Sequence, residues 1–243
     1  MNLRWYCLLL LMVGLALVCQ EGRTVAQQKA ARKPPQPDPA FAPVKDDPAL
    51  PRVLLIGDSI SIGYTVPVRK ALAGKANVHR IPANGGPTTN GLAHIDQWLG
   101  RGHWDVIHFN WGLHDMKLID GKQQVPLDEY QQNLQELIER LKKTHARLIW
   151  CSSTPVSAGT QGPVRYNEDV IAYNAAAKKV MQQNGIAIDD LYAFALPQLK
   201  KIQLPVNVHF TAKGYQTLAG RVAAANCKAL EKPVALPHCP AAQ

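Results

Sequence analysis

The chain has 243 residues, which is enough for one globular domain with a sizeable core but not clearly enough for two. Its formal net charge is +9, but the basic residues lie in isolated pairs along the chain rather than in one block. This spacing is typical of solvated helix faces and argues against a nucleic-acid partner. The charge is compatible with a modest attraction to acidic polysaccharide or to a membrane surface.

Residues 1–26 are predicted to be a secretory signal peptide. Arg4 precedes an uninterrupted apolar run from Trp5 to Cys19, which is shorter than the roughly 20 apolar residues that a membrane-spanning helix needs. Cleavage after Cys19 and cleavage after Ala26 both fit the sequence, whereas Val18 before the cysteine argues against a lipoprotein. We therefore expect a secreted or periplasmic protein, with membrane contact only through an uncleaved signal.

Residues 27–51 are predicted to be a disordered linker, because they are rich in Pro, Ala, Lys and Gln and show no hydrophobic period. The folded domain is assigned to residues 52–230 and a C-terminal tail to residues 231–243. In an oxidising compartment, Cys227 and Cys239 are expected to form a disulfide that holds this tail, while Cys151 ends an apolar run and is expected to be buried. No cysteine has zinc-ligand spacing, so no metal is predicted.

Short apolar runs alternate with helical stretches from Val53 onwards. The run Val53–Ile56 is typical of a strand buried on both faces of a parallel sheet. A helix is predicted after Ser59, with Pro67 near its first turn. Further strands are predicted over residues 77–81, 105–110, 147–151 and 186–188, and further helices over residues 88–99, 127–143, 168–184 and 211–230. This alternation predicts an α/β fold with three layers, α/β/α, around a central, mostly parallel five-stranded sheet.

Polar and glycine residues gather directly after the predicted strands, where parallel α/β folds bind their ligands. Asp58 and Ser59 follow the first strand, so the serine hydroxyl is expected at the carboxyl edge of the sheet, with its N–H near the positive end of a helix. Both residues are also explained as helix caps. Similar segments are residues 84–89 after the second strand, 110–115 after the third, and 206–211 before the last helix. The G-x-S-x-G elbow of the α/β-hydrolases is not present at the first strand.

These segments resemble the conserved blocks of the SGNH (GDSL-like) hydrolase superfamily, and the resemblance covers about residues 52–225. Gly57-Asp58-Ser59-Ile60 is similar to the first block, which implies that Ser59 is the nucleophile and that its N–H belongs to the oxyanion hole. Gly86 resembles the second-block glycine that donates another N–H to this hole, with Gly85 as an alternative. Val208-His209-Phe210 resembles the last block, which implies that His209 is the general base.

The chain departs from the family pattern at two positions. His114, in Gly112-Leu113-His114-Asp115, stands where the G-x-N-D block has an asparagine that serves the oxyanion hole. A histidine N–H can also donate there, and the alternative is a structural role beside Asp115. Val206 stands three positions before His209, where the family has its acid. A backbone carbonyl, Asn207 and an acid from another loop are the alternatives for orienting the histidine.

The resemblance implies a secreted serine ester hydrolase with an SGNH-like, flavodoxin-like fold and no cofactor. It cleaves acyl or acetyl esters, and its substrate is expected to be a small-molecule or polysaccharide ester such as an acetylated carbohydrate. Asp58, Asn84 and Asn110 are predicted to line the substrate pocket, although the two asparagines are equally explained by bonds to the backbone. The alternative is a catalytically weak or inactive carbohydrate-binding or scaffold protein on the same fold, which the departures at His114 and Val206 favour.

Overall fold

The computed structural model of the chain describes residues 37–160 and 162–231. The predicted signal peptide lies outside these residues, as does Cys239, so the signal and the disulfide stay predictions. From Pro39 onwards the described residues belong to one compact unit. Within this described part, no helix combines the length and the apolar character that crossing a membrane requires.

The core of the fold is a five-stranded sheet in which every pair of neighbouring strands is parallel. The strands of the described residues are β1 (Arg52–Ile56), β2 (Asn77–Arg80), β3 (Val106–Phe109), β4 (Leu118–Ile119), β5 (Lys122–Gln123), β6 (Arg147–Cys151) and β7 (Ala187–Asp189). The sheet order is β2-β1-β3-β6-β7, and β4 and β5 form a separate antiparallel hairpin. All residues of β3 are buried, as expected for a strand with helices on both faces. The predicted α/β architecture is confirmed.

The helices form the two outer layers. They are α1 (Ser59–Ala71), α2 (Thr88–Leu99), α3 (Leu127–Lys142), α4 (Asn167–Gln183), α5 (Leu191–Ala195), α6 (Leu199–Ile202) and α7 (Ala212–Leu230). Helices α1 and α7 pack against each other, and α2, α3 and α4 pack side by side. Gly63 allows the close approach of α1 and α7, since a Cβ atom there would lie 2.2 Å from the Tyr215 ring.

The start of α1 differs from the prediction. The Asp58 side chain accepts a hydrogen bond from the backbone N–H of Ile60 at 2.9 Å, and this cap begins the helix at Ser59. Pro67 therefore lies in the helix interior rather than in the first turn. A proline there lacks the N–H that would bond the carbonyl four residues earlier, so its usual preference for the first turn misplaced the helix start.

The packed region begins at Pro39 rather than at Arg52, which corrects the predicted linker over residues 39–51. Ala40 is buried, and Asp47 and Asn77 bond each other reciprocally. The Asp47 N–H donates to Asn77 Oδ1 at 2.9 Å, and Asn77 Nδ2 donates to the Asp47 carbonyl at 2.8 Å. A few specific bonds to β2 thus order a segment whose composition alone indicates disorder.

Candidate active site

Ser59 and His209 meet at the carboxyl edge of the sheet. Ser59 is the first residue of α1, directly after β1, and His209 lies in the loop before α7. Ser59 Oγ is 3.0 Å from His209 Nε2, and both residues are half-buried. This is the distance at which an imidazole takes the proton of a hydroxyl nucleophile. The two residues singled out by the sequence as nucleophile and base are brought together.

The other ring nitrogen of His209 contacts Asn207. His209 Nδ1 lies 2.9 Å from Asn207 Oδ1, and the same oxygen accepts the backbone N–H of His209 at 2.9 Å. Val206 is 42 % exposed and has a positive φ of 51°, which is a genuine outlier for a β-branched residue. Of the alternatives that the sequence left open, the structure places Asn207 beside the histidine.

The loop that carries His209 is held on both sides. Gln203 and Phe210 form an antiparallel bridge, and the backbone N–H of Leu204 donates to the His209 carbonyl at 2.9 Å. The buried side chain of Gln203 donates from Nε2 to the Pro155 carbonyl at 2.8 Å. These bonds fix the loop against the segment that follows β6, so the imidazole is positioned by the fold.

Gly85 and Gly86 were the two candidates for the second oxyanion-hole N–H. The N–H of Gly86 is bonded to a side chain that a ligand could displace, whereas the N–H of Gly85 is bonded to the backbone. The Gly85 N–H donates to the Gly57 carbonyl at 3.0 Å, which ties this loop to the end of β1. The Gly86 N–H donates to Oδ1 of Asn84 at 2.9 Å, and Asn84 is exposed. The positive φ of 61° at Gly86 explains the glycine at this position.

His114 is half-buried in the loop after β3. Burial lowers the pKa of its imidazole, an effect that Asp58 opposes and that Arg165 and Lys117 reinforce. The ring is therefore neutral at neutral pH and has one N–H to donate. Its loop needs Gly112, because a Cβ atom there would lie 2.6 Å from Ser153 Oγ.

Asp115 has a structural role that the sequence did not predict. Its Oδ1 accepts hydrogen bonds from the backbone N–H of Thr88 at 2.8 Å and from Thr88 Oγ1 at 2.5 Å. The carboxyl group thus caps α2 from a different loop, since the residue before this helix is Pro87, which makes no side-chain cap bond. Burial raises the pKa of Asp115 to about 7, although the two bonds from Thr88 lower it.

All three predicted substrate-binding residues make hydrogen bonds within the protein. Asp58 is buried and caps α1. Asn110 Nδ2 donates to the Cys151 carbonyl at 2.7 Å and lies 3.3 Å from Ser153 Oγ. Both line a cavity of about 10 Å³ whose other lining residues include Ile60 and Ser61 of α1, and this cavity has room for about one water molecule. Asn84, the third, is exposed and holds the Gly86 N–H.

A group of potential metal ligands lies apart from this site. The ligand atoms of His108, Cys151 and Asp189 lie within 4.8 Å of one another, and all three residues are buried. Both oxygens of Asp189 already have partners, since Oδ1 accepts from Arg221 Nε at 2.7 Å and Oδ2 lies 3.2 Å from His108 Nε2. The group is therefore explained as a charge-paired core contact, and the predicted absence of a metal stays a prediction.

The chain is similar in sequence to a known protein family and in fold to several solved structures. The sequence model of the GDSL-like lipase/acylhydrolase family matches residues 55–217. No curated protein sequence matches the chain. Among solved structures, the acetyl xylan esterase AlAXEase is similar with a TM-score of 0.62 and 18% identity, over 72% of this chain and 98% of that chain. The lipase/acylhydrolase from Enterococcus faecalis is similar with a TM-score of 0.63 and 18% identity, over 72% of this chain and 94% of the other.

A third similar structure is Axe2, an acetylxylan esterase from Geobacillus stearothermophilus, with a TM-score of 0.60 and 18% identity over 77% of this chain and 97% of that chain. At these identities the structural matches show the fold. The family itself is shown by the sequence match, which spans β1 to the first turns of α7. The family predicted from the sequence blocks is confirmed: the chain belongs to the GDSL-like lipase/acylhydrolase family and is a carboxylic ester hydrolase.

Proposed function

We propose that the protein is an exported serine esterase that removes acetyl or other short acyl groups from carbohydrates, with Ser59 as nucleophile and His209 as general base. The observation that supports this most is the contact of 3.0 Å between Ser59 Oγ and His209 Nε2 at the first turn of α1. A hydroxyl at the carboxyl edge of the sheet, with a base at hydrogen-bond distance, is the arrangement that acyl transfer requires.

The reaction would proceed in two steps. Ser59 Oγ attacks the ester carbonyl while its proton passes to His209 Nε2, and the tetrahedral intermediate collapses as that proton passes to the leaving alcohol. Water then gives a proton to the same nitrogen and attacks the acyl-serine, which releases the carboxylic acid and restores the hydroxyl.

The oxyanion of each intermediate needs N–H donors that are in place before the reaction. The backbone N–H of Ser59 belongs to the first turn of α1, where N–H groups have no acceptor within the helix. The Gly86 N–H becomes available to the substrate oxygen when the exposed Asn84 side chain moves away from it. Neutral His114 would add its single ring N–H, in the role that the family gives to an asparagine.

A short acyl group is the expected substrate, because the sequence after the Trp5–Cys19 run has no long apolar segment that could form a lid over the site. The similar structures named acetyl xylan esterases suggest an acetylated polysaccharide as the class to test. Export rests on the apolar run Trp5–Cys19, and cytoplasmic retention of an unprocessed chain on fractionation would contradict it.

The test is covalent labelling followed by a substrate panel. A fluorophosphonate probe should label the wild-type chain at Ser59, as located by peptide mass mapping, and should not label Ser59→Ala. The wild type should cleave acetyl esters and acetylated xylan faster than decanoyl esters. Absence of labelling would favour the inactive scaffold instead, and a preference for long chains would refute the carbohydrate substrate.

A further inference from the structure

The imidazole of His209 is held at both nitrogens, and the partner of Nδ1 is an amide. Nε2 lies 3.0 Å from Ser59 Oγ, and Nδ1 lies 2.9 Å from Oδ1 of Asn207. The family has a carboxylate three positions before the histidine, but this position is Val206 here. The residue that contacts the ring is therefore one position later and carries no charge.

The hydrogen bonds fix which atom of the amide faces the ring. The backbone N–H of His209 can only donate, and it points at the same Asn207 atom from 2.9 Å. That atom must therefore be the oxygen, which in turn requires a hydrogen on Nδ1. With the proton on Nδ1, Nε2 has a lone pair facing the hydroxyl of Ser59. This is the tautomer that a general base needs.

The backbone of Val206 explains the displaced contact. Val206 has a positive φ of 51° and an exposed side chain. The Val206 side chain points toward Gly159: a Cβ atom added to this glycine would lie 3.8 Å from Val206 Cγ1. The left-handed residue turns the chain so that the side chain of residue 207, and not that of residue 206, reaches the imidazole.

We infer that Asn207 is the positioning residue of the active site and that it replaces the family's acid in a Ser59–His209–Asn207 triad. This inference rests on the proposed function. An amide oxygen fixes the tautomer and the orientation of the ring, as a carboxylate does. It does not provide the negative charge that stabilises the imidazolium formed when Ser59 loses its proton.

The test compares three variants of the full chain. Asn207→Ala removes the acceptor and should lower kcat by up to ~10⁴-fold, the loss that follows when the triad histidine of a serine protease loses its orienting carboxylate. Asn207→Asp keeps both hydrogen bonds and adds a charge, so it should raise kcat by roughly 10-fold, because a carboxylate favours a neighbouring imidazolium by ~1 pK unit or more. Val206→Asp is the matched control, since it adds the same charge at the family position but on the side of Gly159.

The pH profile separates positioning from a merely structural role. A carboxylate at residue 207 keeps the base protonated up to a higher pH, so the acidic limb of kcat/KM should move upward by ~1 unit in Asn207→Asp. It should move much less in Val206→Asp. The other titratable groups of this edge are Asp58, which interacts with His114, Arg165 and Tyr215, and Lys213 in the first turn of α7. All of them are common to the three variants.

A spectroscopic readout makes the test independent of activity. In ¹⁵N NMR of the wild-type protein, His209 should show the tautomer protonated at Nδ1, and Asn207→Ala should lose this preference. The inference would be overturned if Asn207→Ala and Asn207→Asp both kept the pH profile and the His209 tautomer of the wild type. If Ser59→Ala retains full esterase activity, the proposed function itself is wrong. If activity depends on Ser59 but not on residue 207, only the role of Asn207 is wrong.

Discussion

The buried carboxyl group of Asp115 should make the stability of the fold depend on pH. Its pKa is about 7 in the folded protein, against an ordinary value of 3.8, because burial disfavours the charged form. A group with a raised folded pKa stabilises the fold fully below its unfolded pKa, and this contribution is lost as pH rises through the folded pKa. The window is therefore from about pH 4 to about pH 7, and the total change is about 4 kcal/mol at ~1.4 kcal/mol per pH unit.

The perturbation that isolates this effect is Asp115→Asn. The amide keeps an oxygen for the two bonds from Thr88 but cannot ionise. Its NH₂ group would take the place of Oδ2, which is buried and has no partner among the described residues, at a cost of ~1–3 kcal/mol. The informative quantity is therefore how the difference in unfolding free energy between the two proteins changes with pH, and not its value at any one pH. The free energy of unfolding of the wild type should fall relative to the variant by ~1.4 kcal/mol per unit up to about pH 7.

Urea denaturation at several values between about pH 5 and pH 8 measures this slope. Asp120→Asn is the control, because Asp120 is exposed in the β4–β5 turn and has a positive φ of 50°, which asparagine also tolerates. Its difference from the wild type should stay constant with pH. Parallel curves for the wild type and Asp115→Asn would refute the assignment of a strongly raised pKa to this carboxyl group.

Three further predictions concern packing, the oxyanion hole and the tail. Gly63→Ala should destabilise the fold by ~1–3 kcal/mol, because the added Cβ would meet the ring of Tyr215. Gly220→Ala in α7 is the control, because a Cβ there meets nothing within 4 Å, and it should stabilise the fold by ~0.5–1 kcal/mol. Thermal unfolding of the two variants measures both effects. His114→Ala should lower kcat by ~10²-fold, and His114→Asn should restore most of it; equal rates in all three proteins would exclude a donor role. In the exported chain, Cys227 and Cys239 should be joined, so intact mass after alkylation without reduction should show one free thiol, Cys151, and three would rule the disulfide out.

The strands and most helices follow from the sequence because their signals are local. The apolar run of β1 is buried along most of its length, and α2 has the predicted bounds Thr88–Leu99. Thr211, the first residue of the last predicted helix, caps α7, since its side chain accepts the N–H of Gly214 at 3.0 Å. In each case, residues within a few positions of each other decide the structure.

The elements that the sequence did not show are short or depend on distant contacts. Helices α5 and α6 and the β4–β5 hairpin contain too few residues for a hydrophobic period to be recognised. The cap that Asp115 provides for α2 joins residues 27 positions apart, and the order of residues 39–51 depends on bonds to Asn77 in β2. Such contacts exist only once the chain has folded.

The active site shows the same division between residue identity and geometry. Ser59 and His209 were identifiable because each lies in a block that the family repeats, and the fold brings them to 3.0 Å. The residue that contacts His209 Nδ1 could not be identified from the sequence, because Val206 and Asn207 stand side by side there. The choice between them depends on one backbone angle, the φ of Val206, which no propensity predicts for a β-branched residue.

The strain at Val206 and the contact of Asn207 with the imidazole are best understood as one feature of the loop. A β-branched residue in the left-handed region costs about 1–3 kcal/mol and persists only where the surrounding structure enforces it. Here the Leu204–His209 bond and the two bonds to Asn207 Oδ1 provide that enforcement, at about 0.5–1.5 kcal/mol each. The strain and the hydrogen bonds are of similar size, so the loop holds the imidazole of His209 at little net cost in stability. The absence of an acid at the family position is therefore accompanied by a backbone conformation that supplies a different acceptor, so the sequence pattern changes while Ser59 Oγ and His209 Nε2 stay within hydrogen-bond distance.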